Sequence, residues 1–402
     1  MAALKYWLWL TSRKGVDAGT ALALLDHFGS PERAFYARGE DYAPVALSKA
    51  AREGLQDKSL DDAERIWEEC ERLGLRILTY QDSDYPERLR QIPQPPAVLY
   101  VRGKVFPFDE MPAIGVVGTR DPSAYGERWA GQLSMELAAG GALVVSGTAR
   151  GVDTCAIKGA LKAGGSVVCV LGGGVDVPYP AENRYLYEDV AAVGALMTEY
   201  PPGTRNLGDH FPRRNRILTG LTVGVLAVEC LPRSGTMSSV NHALEQDRDV
   251  FAVPGSLDAD MSLGTNLLIR QGARLVTCGE DILCEYRSRF PHVLSPRRGL
   301  EPEVVESRLQ PDKPAQKSAP AAEPETKKTP VIPVGEQKTR FTDDELDILA
   351  ALEEKNSTAD ELVERTQIPA RRVLTALTML QVQQAVEEGP GRRFAPLVKL
   401  ER

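Results

Sequence analysis

No run in this sequence reaches the roughly 18 consecutive apolar residues that a membrane-spanning helix needs. An apolar patch lies within the first 15 residues, but Lys5 interrupts it and no small-residue cleavage pattern follows. A secretory leader is therefore not expected, and a cytoplasmic location is. Cysteine is scarce. Cys70, Cys155, Cys169, Cys230, Cys278 and Cys284 form no CxxC pair, and several sit in apolar, strand-like runs. They read as buried structural thiols rather than a disulfide framework. His27, His210, His242 and His292 are scattered without ligand spacing, so no metal is expected. Two cofactor signatures are also missing, a strict GxGxxG and a GxxxxGK[ST]. Their absence argues against a dinucleotide-dependent enzyme and against ATP-driven work by this chain, and no cofactor is expected. Nor is there an excess of positive charge. The formal net charge is −8, which taken alone disfavours a nucleic-acid partner, since such affinity comes from neutralising phosphates with Lys and Arg. Net charge is a sum, however, and a local basic pocket can hold phosphate on an acidic protein.

What is present is a chain of 402 residues, 43% hydrophobic and 26% charged, long enough for two or three domains. Residues 1–74 read as a helical module. An apolar stripe starts at Trp7, Leu8 and Leu10. Asp17 leads into a helix over 21–28, and Gly29, Ser30 and Pro31 restart another. A further amphipathic helix is expected over 61–73. Residues 75–286 read as one α/β domain. Strand signals at 75–80 and 97–101 are followed by near-continuous apolar runs at 113–118, 142–147, 166–172, 195–200, 223–230, 249–255 and 273–277. Helical patterns at 126–139, 154–163, 182–193 and 236–245 separate them. Such alternation predicts a doubly wound, mostly parallel sheet of Rossmann-like type with helices on both faces. Residues 287–339 are rich in Pro, Lys, Glu, Ser and Ala and are expected to form a disordered linker. Residues 340–402 show three helical patterns and two short strands around Gly389, the layout of a winged helix-turn-helix.

Several strands of the α/β domain end in glycine. In an open parallel sheet, ligands sit beyond the carboxyl ends of the strands, and glycine there lets backbone amides approach an anion. Gly118, Thr119 and Arg120 close the first strand of the alternating region; Ser146 and Gly147, followed by Arg150, close the second. Ser234, Gly235 and Thr236 open the helix after the fifth. One such loop is explained by a tight turn; several at one sheet edge point to a phosphate site. The run His210, Phe211, Pro212, Arg213, Arg214, Asn215, Arg216 is the most specific stretch. Phe211 is suited to stacking on a base, and arginine forks hold phosphates bidentately. The alternatives for these arginines are a solvated helix face or ion pairs that brace the sheet edge.

The ordered segments Gly115–Arg120, Ser146–Asp153, Tyr179–Asn183, Phe211–Ile217, Ser234–Thr236 and Val253–Gly255 resemble the motifs of the DNA-processing protein A (DprA/Smf) family. Tyr85 and Pro86, residues 95–100 and residues 263–273 extend the likeness, which covers roughly 80–277. The helical start is similar to that family's sterile-alpha-motif-like domain, and the tail to its winged helix. The resemblance implies binding of single-stranded DNA, without catalysis, in a homodimer that protects incoming DNA and delivers it to the RecA recombinase during natural transformation. Carried over by motif, the DNA-contacting candidates are Arg120, Ser146, Gly147, Arg150, Arg184, Arg214, Asn215 and Arg216. Where the family commonly has a histidine after its Gly-Val-Asp element, this chain has Ile157, so no role of that histidine transfers.

A nucleotide phosphoribohydrolase on the same scaffold is the rival reading. Its signature needs a glutamate beside the glycosidic bond, and Ser239 stands in that place. The winged helix as a duplex reader is a second rival. Residues 340–402 carry nine Lys and Arg against twelve Asp and Glu, whereas sequence-specific readers show a basic excess.

Overall fold

The computed structural model describes residues 3–294 and, further on, 331–333, 337, 340–383, 385–389 and 393–400. The chain divides into two compact units, residues 1–305 and 306–402.

The first unit opens with helices Leu4–Ser12, Ala18–Phe28, Pro31–Tyr36, Lys49–Gln56 and Asp61–Arg72. Their ends are set by local chemistry. Asp17 accepts from the Thr20 amide, Ser30 from Arg33 ahead of Pro31 in the first helical turn, and Ser48 from Ala51. These caps satisfy amides that a helix start leaves unpaired. The Ser48-capped helix is absent from the pattern-based reading: its eight residues carry only Ala51 and Leu55 as buried apolar positions. Trp7, Leu8, Trp9 and Leu10 pack with Leu24, Leu55 and Ile66 into a core that continues onto Ala97, Val98 and Tyr100 of the sheet. The helical module thus shares a core with the α/β domain.

That sheet has nine strands: β1 (Arg76–Thr79), β2 (Val98–Gly103), β3 (Ala113–Val117), β4 (Leu143–Ser146), β5 (Val167–Val170), β6 (Ala195–Thr198), β7 (Gly224–Ala227), β8 (Asp249–Ala252) and β9 (Arg274–Leu275). The spatial order is β1-β2-β6-β5-β4-β3-β7-β8-β9. From β6 to β9 the pairing is parallel, and β1 and β2 add an antiparallel edge. Helices Ala124–Ala139, Val152–Lys162 and Arg184–Val193 cover one face through Leu133, Ile157 and Leu186. Helices His210–Gly220, Gly235–Glu245 and Leu263–Arg270 cover the other through Leu218, Val240 and Leu268. The chain winds from β3 to β6 in one direction, then crosses to β7 and winds in the other. The switch point falls between β3 and β7, where a doubly wound sheet opens a crevice at its carboxyl edge.

Order runs further than the composition suggested. Helices Glu280–Tyr286 and Pro291–Leu294 bury Ile282, Tyr286, Phe290 and Leu294 against the sheet, so the expected linker does not begin at 287. Most of the 287–339 segment lies outside the described residues. In the second unit, helices Asp343–Glu354, Ala359–Thr366 and Ala370–Val382 surround Ile348, Leu362, Val373 and Leu377, and strands Val386–Gly389 and Arg393–Pro396 pair as the wing. Cys70, Cys169 and Cys230 are buried as expected, whereas Cys284 is exposed. Among the described residues, no helix is long and apolar enough to cross a membrane.

Candidate nucleic-acid interface

The crevice at the switch point is a cleft of about 470 Å³. Gly118, Thr119, Arg120 and Asp121 after β3 form one wall, and Phe211, Arg214, Asn215 and Leu218 of helix His210–Gly220 another. Ser234, Gly235, Thr236, Ser238 and Ser239, at the start of helix Gly235–Glu245, form the third.

The helix His210–Gly220 explains the arginine run. Pro212 sits in its first turn, where no amide donor is required, so the proline opens the helix rather than breaking it. Phe211, Arg214, Asn215 and Leu218 recur at three- and four-residue spacing and share one face. Arg216 lies two residues from Arg214, roughly 200° around the helix, and cannot share that face. It turns away and grips Glu199 with two bonds, Nη1 to Oε1 at 3.0 Å and Nη2 to Oε2 at 2.7 Å. The expectation that Arg216 contacts ligand in this cleft is therefore corrected: its fork is occupied by a carboxylate of the protein.

Arg214 is buried, and its Nη1 donates to the Val170 carbonyl while Nε donates to Asn215 Oδ1 at 3.2 Å. Burial lowers its pKa; the charge of Asp153 opposes the shift and that of Arg120 adds to it. Burial likewise raises Asp153, against the pull of Arg214 and the Ala149 amide. An inward fork therefore braces the end of β5 and also carries positive charge to the cleft lining.

Gly118 and Gly147 serve packing. A Cβ on Gly118 would lie 2.5 Å from Val152 Cγ2, and one on Gly147 would lie 2.4 Å from both Arg214 Nη1 and Asp153 Oδ2. Gly147 thus lets the two charges stand against the backbone but does not line the cleft. Ser146 is fully buried and donates to the Val116 carbonyl at 2.8 Å, which corrects the expectation that its hydroxyl grips a ligand. Gly151, at φ +79°, would place a Cβ 2.6 Å from the Arg120 carbonyl carbon. That close approach, with the Val152 amide donating to the Thr119 carbonyl at 3.1 Å, holds the loop that presents Arg120.

Arg120 is exposed and forms no ion pair among the described residues. Its guanidinium carbon lies 5.2 Å from the centroid of the Phe211 ring, within cation–π range. Phe211 in turn contacts the half-exposed Tyr179, centroid to centroid 5.1 Å. Arg150 and Arg184 are exposed outside the cleft lining. Arg184 begins its helix directly after Asn183, whose Nδ2 donates to the Thr148 carbonyl at 3.0 Å and to Thr154 Oγ1 at 2.8 Å.

Glu229 was not singled out from sequence, although it is a lone carboxylate in an apolar strand run. It is buried and accepts from the Ser123 amide at 2.9 Å and the Ser123 hydroxyl at 2.6 Å. It thereby fills the amino end of helix Ala124–Ala139, where a dinucleotide-binding protein seats its pyrophosphate. Helix Gly235–Glu245 is different. No side chain caps it, its first turn holds no acid, and open space surrounds Gly235. Ser234 Oγ is turned back to the Leu231 carbonyl at 2.9 Å and does not cap the helix.

This architecture defines a Rossmann-like α/β protein with an appended winged helix, whose crevice is cationic at the edge and free of the dinucleotide arrangement. A family profile described as DNA recombination-mediator protein A matches residues 76–287, and one described as the DprA winged helix domain matches 315–392. Protein Smf of Synechocystis is 32% identical over 406 residues, covering 97% of this chain and 98% of its own length. The DNA processing protein DprA of Bacillus subtilis is 39% identical over 216 residues, covering 54% and 73%. The crystal structure of DNA processing protein A from Streptococcus pneumoniae superposes with a TM-score of 0.63 at 31% identity, over 70% of this chain and 97% of that one. The chain belongs to the DprA/Smf family.

Proposed function

We propose that this protein binds single-stranded DNA in the switch-point cleft and works in DNA processing during natural transformation. On this reading it acts in the cytoplasm as a homodimer and delivers the strand to the RecA recombinase. The observation that carries the proposal is Arg120, an exposed guanidinium without an acidic partner among the described residues, laid over Phe211 beside the uncapped helix start at Gly235. A phosphate between Arg120 and the Gly235 and Thr236 amides would relieve the mutual repulsion of Arg120 and Arg214. The exposed side of the Phe211 and Tyr179 pair offers an aromatic surface to an unstacked base. Phosphate contacts carry no sequence information, so binding is expected to be sequence-tolerant and salt-sensitive. The role is binding rather than hydrolysis: Ser239 lines the cleft where a phosphoribohydrolase needs glutamate, and release of adenine from AMP would contradict it. The decisive test is a gel shift with single- and double-stranded oligonucleotides. Wild type should prefer the single strand and Arg120→Ala should lose most of the affinity. Equal affinity for both DNA forms, or an unaffected variant, would overturn the proposal.

A further inference from the structure

Outside the cleft, the structure holds a second pairing of a cation with an exposed ring. Tyr185 is 50% exposed on the first turn of helix Arg184–Val193. The ammonium of Lys158, from the neighbouring helix Val152–Lys162, lies 5.8 Å from its centroid. Lys158 and Arg184 are exposed and neither forms an ion pair among the described residues. Glu188, an acid one turn along from Arg184, is already held by Arg102 at 3.0 and 2.6 Å. Glu182 and Asp189 are the other exposed carboxylates on this stretch.

The position of this pair is fixed relative to the cleft. Thr148 Oγ1 donates to the Tyr179 carbonyl at 2.8 Å, and Asn183 donates to the Thr148 carbonyl. The loop 147–151, in which Arg150 is exposed, is therefore bonded both to Tyr179 of the Arg120, Phe211 and Tyr179 cluster and to Asn183, directly ahead of the helix that starts with Arg184 and Tyr185. Such alternation of cations and ring faces is how sequence-tolerant proteins track a single strand.

We infer that Tyr185 and Lys158 form a second stacking platform. A strand held in the cleft leaves it past Arg150 and Arg184 and lays a further base on the Tyr185 ring, while Lys158 sits near the adjoining phosphate. This rests on the cleft being a single-strand site, and it adds an exit direction and a longer footprint. The platform engages only strands long enough to leave the cleft.

Fluorescence anisotropy with labelled oligothymidylates of about six and about twenty nucleotides tests it. For Tyr185→Leu we expect about a tenfold loss of affinity for the longer strand and less than about a twofold change for the shorter one, with Tyr185→Phe close to wild type, as loss of one stacked base predicts. In a Tyr185→Trp protein, the longer strand should quench the added indole and the shorter one should not. Equal affinity of wild type and Tyr185→Leu for the longer strand would overturn the platform. The two readings separate cleanly. An Arg120→Ala that loses affinity for both oligonucleotides beside an unaffected Tyr185→Leu overturns the platform alone, while an unaffected Arg120→Ala, or a wild type that binds neither oligonucleotide, overturns the cleft and the platform with it.

Discussion

The guanidinium of Arg216 is held by both oxygens of Glu199, with side chains only 10% and 17% exposed. Removing one member of such a pair strands the other charge in a poorly hydrated place. Arg216→Met should therefore cost about 3 kcal/mol in a urea melt. The fraction that remains folded should bind single-stranded DNA as wild type does, because this fork points away from the cleft. A variant that kept its stability and lost DNA affinity would return Arg216 to the binding residues. Arg214 and Asp153 make the converse case, since each shifts the other's pKa. Arg214→Met alone should destabilise the fold by roughly 3 kcal/mol through an uncompensated Asp153. Pairing it with Asp153→Asn should recover part of that loss. A double-mutant cycle with no coupling would show that the two charges act independently.

Elements differ in how plainly they announced themselves. Strands β3 to β8 were legible because burial on both faces leaves near-continuous apolar runs. The helix at Pro31 and the one at Gly235 were legible from Ser-Pro and Ser-Gly starts. Helix His210–Gly220 was not: Pro212 reads locally as a turn, and its helical face emerges only when positions 211, 214, 215 and 218 are seen to recur. A motif names Arg214 and Arg216 together, but helical spacing sets them on opposite faces. The partners of Ser146 and Glu229 come from other strands and loops, which no local pattern reveals. A cap that sequence did reveal supports a pH prediction. Bonds from the Thr20 hydroxyl and amide hold Asp17 below the ordinary aspartate value of 3.8. A carboxylate so depressed stabilises the fold above about pH 4, and that contribution is lost as pH falls through the depressed value. Asp17→Ala should cost about 1 kcal/mol at pH 7, and the gap from wild type should narrow in melts carried below pH 3.8. A constant gap across that range would mean that the charge is irrelevant to the cap.

At the scale of the whole chain, the question is which compact unit carries the affinity for DNA. The second unit has the shape of a duplex reader without its charge. The exposed face of helix Ala370–Val382 presents Arg371, Leu374, Thr375 and Thr378, with Leu374 57% exposed at its centre. Arg372 is spent on Asp344, at 2.7 Å from Nε, and Arg393 on Glu361, at 3.1 Å from each nitrogen. A helix that entered a major groove would need such cations free for phosphates and base edges. In the first unit, the loop after β3 leaves Arg120 free at the cleft. Removing residues 340–402 should therefore leave affinity for single-stranded DNA within about threefold of the full chain, equivalent to less than 1 kcal/mol. The dependence on salt should also survive, because its slope counts phosphates neutralised by the first unit. Anisotropy titrations of both proteins at several salt concentrations would measure the two quantities together. A loss of a hundredfold, or a much shallower slope, would move a large share of the phosphate contacts into the winged helix. That outcome would force a reassessment of a domain in which Arg372 and Arg393 are engaged with Asp344 and Glu361.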